Sequence, residues 1–243
     1  MKKSILLRSI FMLSLIAVSS SCVLYLDGTV GKGQIVEELI TVPEFNAIVA
    51  SSSAEVTVTK GDYLEVSLAD YENLIEYWDV KVVDNTLFIQ TKAFSSIINS
   101  KAKVTVVMPA DLKEVKVSGS GSIKLNDAFP ELEKASISGS GSIKGNVNTG
   151  YGNLMLIISG SGSFDMIGSA DELKAVTSGS GRMNLFDLTA KSATCTISGS
   201  GNMYVYAVDY LNAIITGSGS IVYAGNPVVD VQASGSGRLR HQN

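Results

Sequence analysis

The sequence predicts an all-β fold, a single-stranded parallel β-helix whose solenoid coils are about 20 residues long, with an N-terminal strand and hairpin capping region. Three observations point there. Gly-Ser-Gly recurs at Gly119, Gly139, Gly160, Gly179, Gly199, Gly217 and Gly235, at intervals of 18 to 21 residues. Within each unit, β-branched and aliphatic residues alternate with polar ones, and no helical period is present. The alternation also runs through the glycines. One parity reads Val115, Val117, Gly119, Gly121, Ile123, Leu125, and the other Lys116, Ser118, Ser120, Ser122, Lys124. Strand side chains alternate faces, so the apolar set and both glycines share the inward face. The glycines then mark a corner, where the chain bends and a Cβ does not fit.

The elements follow in chain order. Lys2, Lys3 and Arg8 precede a short apolar run, Ile10 to Val18, and then Ser19, Ser20, Ser21 and Cys22. This is the layout of a secretory signal over residues 1–21, and its apolar run is too short to span a bilayer. A Cys placed directly after the small residues reads as a lipidation site, so Cys22 is expected to carry the acyl anchor. Ordinary cleavage that leaves a free Cys near the start is the alternative. Residues 22–44 are then anchor and linker, and residues 45–243 one β-helix domain. Removing Lys2, Lys3 and Arg8 from 19 basic residues leaves 16 against 23 acidic ones, with no Lys/Arg cluster. Nucleic acid is therefore not an expected partner. With Cys22 acylated, Cys195 has no partner for an intramolecular disulfide.

Residues 45–110 read as N-terminal coils and cap, and 111–243 as the Gly-Ser-Gly repeats. In "IVASSSAEVTV" one parity reads Ile48, Ala50, Ser52, Ala54, Val56, Val58. Ser52 and Ala54 stand where the repeats have glycine, which suggests a degenerate first coil, since terminal repeats are often atypical. "YLEVSLA" and "DVKVVDNTLFIQTK" follow, and Asp84-Asn85 between two apolar runs predicts a hairpin turn. Tyr71 to Trp78 reads as a helical turn or two, with Leu74, Ile75 and Trp78 over an end of the core. "KVTVVMP", Lys103 to Pro109, reads as a strand closing this region.

These segments resemble a known family. "FNAIVASSSAEVTVTKGD", "TLFIQTK", "KVTVVMP" and the tandem Gly-Ser-Gly-x-apolar units are similar, in that order, to bacterial lipoproteins of the "putative auto-transporter adhesin, head GIN domain" family. The resemblance covers roughly Phe45 to Arg238. It implies a β-helix protein of the Bacteroidetes cell envelope, anchored to the outer membrane by lipid, and it brings no catalytic residues. The segment after Cys22, "VLYLDG", lacks the acidic run linked to surface export in such bacteria, so the periplasmic and surface faces both stay open.

No catalytic constellation stands out, and no cofactor or metal is expected. His241, the only histidine, is third from the end, and Cys195 falls on the inward parity. Gly-Ser-Gly runs into more strand and not onto a helix N-terminus, unlike a phosphate loop. A polysaccharide lyase or glycosidase would need gathered carboxylates, yet Asp165, Asp171, Glu172, Asp187 and Asp209 share no column. Tyr204 and Tyr206 have outward parity and are the candidate glycan contacts, with Tyr210 and Tyr223 nearby; the other reading has them covering a sheet face. The outward serines, Ser118, Ser120 and Ser122 over Ser138, Ser140 and Ser142 and onward, could meet a repetitive ligand such as a glycan or ice. The simpler expectation is a ladder in which the serines bond one another and the backbone. The charged end "RLRHQN" should discourage pairing onto the last coil. The expected function is a non-enzymatic envelope lipoprotein with a structural or adhesive role, and the alternative is a carbohydrate-binding module. Its expected partners are the membrane and either a glycan or another envelope protein.

Overall fold

The computed structural model describes residues 28–109, 111–149 and 152–242; the leader and Cys22 lie outside them. The chain is 69% strand and 2% helix and forms a β-solenoid of about six turns. Its N-terminal elements are β1 (Thr29–Val30), β2 (Ile35–Leu39), β3 (Ala47–Ala50), β4 (Glu55–Lys60), β5 (Glu65–Tyr71), α1 (Glu72–Ile75), β6 (Trp78–Val83), β7 (Thr86–Thr91), β8 (Ile97–Ile98) and β9 (Lys103–Met108). The repeats supply β10 (Glu114–Gly119), β11 (Ser122–Ala128), β12 (Lys134–Gly139), β13 (Ser142–Asn148), β14 (Asn153–Gly160), β15 (Ser163–Gly179), β16 (Arg182–Gly199), β17 (Asn202–Gly217), β18 (Ser220–Ala224), β19 (Val228–Gly235) and β20 (Arg238–His241).

Each coil has one leg before its Gly-Ser-Gly and one after it. Coils stack in parallel with equivalent residues in register, so the first glycine of every unit, from Gly119 to Gly235, lies in one column. The inward positions form columns too. Val117, Ile137, Ile158, Thr177, Ile197 and Ile215 lie one above another, each no more than 1% exposed. Burial of each large apolar member contributes about 1.5–3 kcal/mol, and only stacking achieves it.

The parity argument places both glycines inward, and the structure separates their roles. The first has φ between +103° and +129°. In that conformation a Cβ would point along the stack. At Gly139 it would lie 2.5 Å from the Gly119 carbonyl oxygen, which is backbone and cannot yield. The second glycine is buried in every unit from Gly121 to Gly219. A Cβ on Gly162 would meet Ile137 Cγ2 at 2.5 Å and the Gly141 oxygen at 2.7 Å. Removing both side chains lets consecutive corners hydrogen-bond directly. Ser161 N donates to Gly139 O at 2.9 Å and Ser163 N to Gly141 O at 3.0 Å, and later corners repeat this arrangement.

The N-terminal region departs from the expected order. β3 pairs with β10 and β4 with β11, both parallel, so residues 47–60 do form a coil. It is not the terminal one. β7 lies beneath β3 and β9 beneath β4, again parallel, so a coil made by later residues extends the stack downward. The intervening chain runs antiparallel along that end: β2 on β5, β5 on β9 and β6 on β7. Side-chain parity reports which face is inward but carries no information on stacking order. The hairpin occurs where expected, with Asp84 at φ +48° and Asn85 at φ +58°, as a tight turn of two positive-φ residues requires. Of the three residues expected over the core end, Trp78 joins the main core and Ile75 packs against it. Leu74 is fully buried but sits beside Gly31, apart from that cluster.

Candidate functional site

Outward side chains of the second leg over β15–β18 form the most distinctive surface. Asp165, Asn184, Tyr204 and Val222 follow one another up one outward column. The ladder slips in register between Asp165 and Gly168 and between Leu185 and Thr189. Such bulges re-aim side chains, and here apolar ones face solvent: Ile167 is 44% exposed and Phe186 half-buried. The Tyr204 ring stands edge-on to Phe186, centroids 5.5 Å apart at 70°, and the Arg182 guanidinium lies 5.8 Å from its centroid. Tyr206, 37% exposed, continues the strip beside Thr189 and Ala224, and Val208 is 42% exposed.

The structure thus places Tyr204 and Tyr206 two residues apart on β17, sets Phe186 and Arg182 against the Tyr204 ring, and leaves Ile167 exposed on β15. Phe186 and Ile167 were legible as apolar residues at outward parity, a signal the search for tyrosines passes over. The other two tyrosines go elsewhere. Tyr210 is beside Ser192 and Val228, at the opposite bend of the coil. Tyr223 is half-buried and stacked on His241, with ring centroids 4.8 Å apart. Aromatic faces with a guanidinium alongside suit a ligand that has apolar C–H faces and polar rims, as a sugar ring has.

The remaining candidates have structural employment. Cys195 is fully buried between Ala175 and Ala213, and burial pushes its thiol up to about 12, which leaves no thiolate at neutral pH. The His241 Nε2 sits 2.9 Å from the Gly225 carbonyl oxygen. Asp171 pairs with Lys191 at 2.6 Å and Asp165 with Lys144 at 3.6 Å. Among the described residues no group of three or more His, Cys, Asp or Glu could hold a metal ion. The serine columns lie on the outside of the corner as expected, with Ser120, Ser140, Ser161, Ser180, Ser200, Ser218 and Ser236 all exposed. The expected hydroxyl ladder is not what holds them. Among the described residues no side-chain hydrogen bond joins one column serine to another; the backbone bonds to glycine carbonyls do that work.

Away from the tyrosines, an open groove of about 830 Å³ runs past Glu131, Glu133, Asn153, Glu172 and Lys174. It is shallow and mixed in polarity, and among the described residues no buried polar side chain without a partner lines it. The aromatic strip is the better-defined site because Phe186 and Arg182 both contact the Tyr204 ring.

The family model described as "Putative auto-transporter adhesin, head GIN domain" matches residues 44–227. Among solved structures, one described as a putative adhesin from Bacteroides fragilis is 22% identical with a TM-score of 0.79, covering 88% of this chain and 100% of that one. Another, described as a putative lipid binding protein from Parabacteroides distasonis, is 25% identical with a TM-score of 0.72, covering 88% and 99%. A third, described as a putative adhesin from Parabacteroides merdae, is 23% identical with a TM-score of 0.67, covering 89% and 99%. No curated protein matches the sequence. No helix among the described residues is long and apolar enough to cross a membrane.

Proposed function

The chain belongs to the head GIN domain family of putative auto-transporter adhesins, and on that premise we propose that it is a non-enzymatic adhesive module of the bacterial cell envelope. One observation supports the adhesive reading above the rest. The strip of Ile167, Phe186, Tyr204 and Tyr206 leaves apolar and aromatic surface in solvent on a sheet whose opposite face is fully packed. Exposed aromatic surface on a rigid scaffold is characteristic of recognition surfaces. In this reading Cys22 carries the acyl anchor at the outer membrane, and the antiparallel strands β2 and β6 cap the solenoid at the anchored end.

The ligand class we assign to the strip is carbohydrate. Tyr204 is held by Phe186 and Arg182, while Tyr206 offers its ring to solvent. A lipid, as one relative's description names, would have to lie on the outer surface, since the inward positions are filled by side chains. On a glycan array the purified chain should give a defined set of signals that Tyr206→Ala lowers by about threefold to tenfold, consistent with loss of one stacking contact. A blank array, or signals indifferent to Tyr206→Ala, would remove the carbohydrate reading and leave a structural envelope role. Protease shaving of intact cells assigns the leaflet face: cleavage places the solenoid at the surface, and protection places it in the periplasm.

A further inference from the structure

The face that carries the aromatic strip differs in charge from the chain as a whole. The sequence has 19 basic against 23 acidic residues, a net charge of −4. Two outward columns of the second leg reverse that balance. One starts at Glu55 and climbs through serines to Arg182 and Arg238. The other starts at Thr57 and climbs through Lys124, Lys144, Asp165, Asn184 and Tyr204 to Arg240. Together they hold five exposed cations, Lys124, Lys144, Arg182, Arg238 and Arg240, against two carboxylates, Glu55 and Asp165. Asp187 follows Phe186 in the bulge and adds a third acid near the strip. Lys124 stands directly beneath Lys144 in the next coil, a stacking of like charges that does not help folding. Among the described residues neither Lys124 nor Arg182 has a carboxylate within ion-pair distance, and Arg182 lies against the Tyr204 ring. Lys144 reaches Asp165 at 3.6 Å, an exposed pair that adds little stability. Acids gather instead at the opposite bend, where Glu131, Glu133 and Glu172 line the groove with Lys174.

We infer that the ligand of this face is an acidic polysaccharide, one that carries carboxylate or sulfate groups along its chain. The inference rests on the carbohydrate reading of the strip and narrows its ligand class. From Lys124 to Tyr204 the column rises four coils, ~19 Å at ~4.8 Å per step. A polymer lying along it meets two ammonium groups first. It then passes the hydroxyls of Ser142 and Ser163 and the Asn184 amide, and ends on Arg182 and the tyrosine rings. The cations fix position and favour negative charge, while the rings supply stacking surface. Nucleic acid fits less well. Five cations over seven steps, roughly 34 Å, give about one per 7 Å, whereas duplex DNA presents a charge every ~1.7 Å. The same charge logic keeps an acidic polymer out of the groove, where Glu131, Glu133 and Glu172 would repel it.

The test is the affinity of the purified chain for polymers matched in backbone and differing in charge. Polygalacturonate is compared with its methyl ester and dextran sulfate with dextran, and polyuridylate serves as the nucleic-acid arm. The expected result is that at least one acidic polymer binds, about tenfold or more tighter than its neutral partner and than polyuridylate. That affinity should fall several-fold between about 50 and 300 mM NaCl, as screening requires. Lys124→Gln combined with Lys144→Gln, both at exposed positions, should keep the native melt and lower acidic binding about threefold to tenfold, with neutral binding unchanged. Lys174→Gln, an exposed lysine of the groove, should change neither. Equal affinity for both members of each pair would overturn the inference and leave the carbohydrate reading standing. No binding to any of the four polysaccharides would also overturn it, and a blank glycan array besides would remove the carbohydrate reading with it. Acidic binding that ignores the lysine pair, falls as much with Lys174→Gln, or is matched by polyuridylate would overturn it too.

Discussion

Gly179 has φ +116°, and a Cβ built on it would lie 2.5 Å from the Gly160 carbonyl oxygen. Gly179→Ala therefore combines a disfavoured backbone conformation with a clash against backbone, and should cost at least about 2 kcal/mol in urea unfolding. The same column contains a defect. Thr177 is fully buried between Ile158 and Ile197, and its Oγ1 has no hydrogen-bond partner. Thr177→Val keeps the shape and removes the unsatisfied hydroxyl, so stability should rise by about 1 kcal/mol, read as a higher Tm. Cys195 provides a pH test. Its folded-state pKa is raised from 9.0 to about 12, so the unfolded chain loses its proton first as pH rises. Its contribution is fully present below pH 9.0 and is lost between there and about 12. Cys195→Ala, which matches Ala175 and Ala213 in the column, should flatten that decline in alkaline unfolding titrations. Parity makes all three positions legible in sequence as inward. It could not show that the first glycine of each pair is needed for a contact along the stack, because that contact comes from the preceding coil.

The same limit is clear at the scale of elements. The strand-corner-strand unit and the Asp84–Asn85 hairpin follow from local pattern, since alternation and turn chemistry are local properties. The placement of β7 and β9 beneath β3 and β4 is set by long-range pairing, which no periodicity encodes. One buried side chain ties that end together. The Asp70 carboxylate accepts hydrogen bonds from Trp78 Nε1 at 3.0 Å, Ser100 Oγ at 2.6 Å, Lys101 N at 2.8 Å and Tyr71 N at 2.8 Å. It thereby joins β5, β6 and the segment that follows β8. Asp70→Asn exchanges an acceptor for a donor within a ring of donors, and should cost about 2–4 kcal/mol. Hydrogen exchange should show the loss in residues 28–45 and 92–102, with the repeats still protected; uniform loss across all coils would show that the solenoid opens as one unit.

At the scale of the whole molecule, the solenoid separates packing from recognition. Its inside is a repeated apolar stack that the glycine corners hold together, and its outside is free to vary from coil to coil. That is why the fold was readable from a repeat while the site was only partly so. Tyr204 and Tyr206 announced themselves by parity, but the bulges around Ile167 and Phe186 depend on register against neighbouring coils. In the proposed function the outer strip binds polysaccharide without cutting it. Incubation of the chain with a panel of immobilised polysaccharides, reading retained protein and released reducing ends together, tests this directly. The expected result is retention that Tyr206→Ala lowers several-fold, with no reducing ends released; released ends, or no retention on any member of the panel, would overturn it.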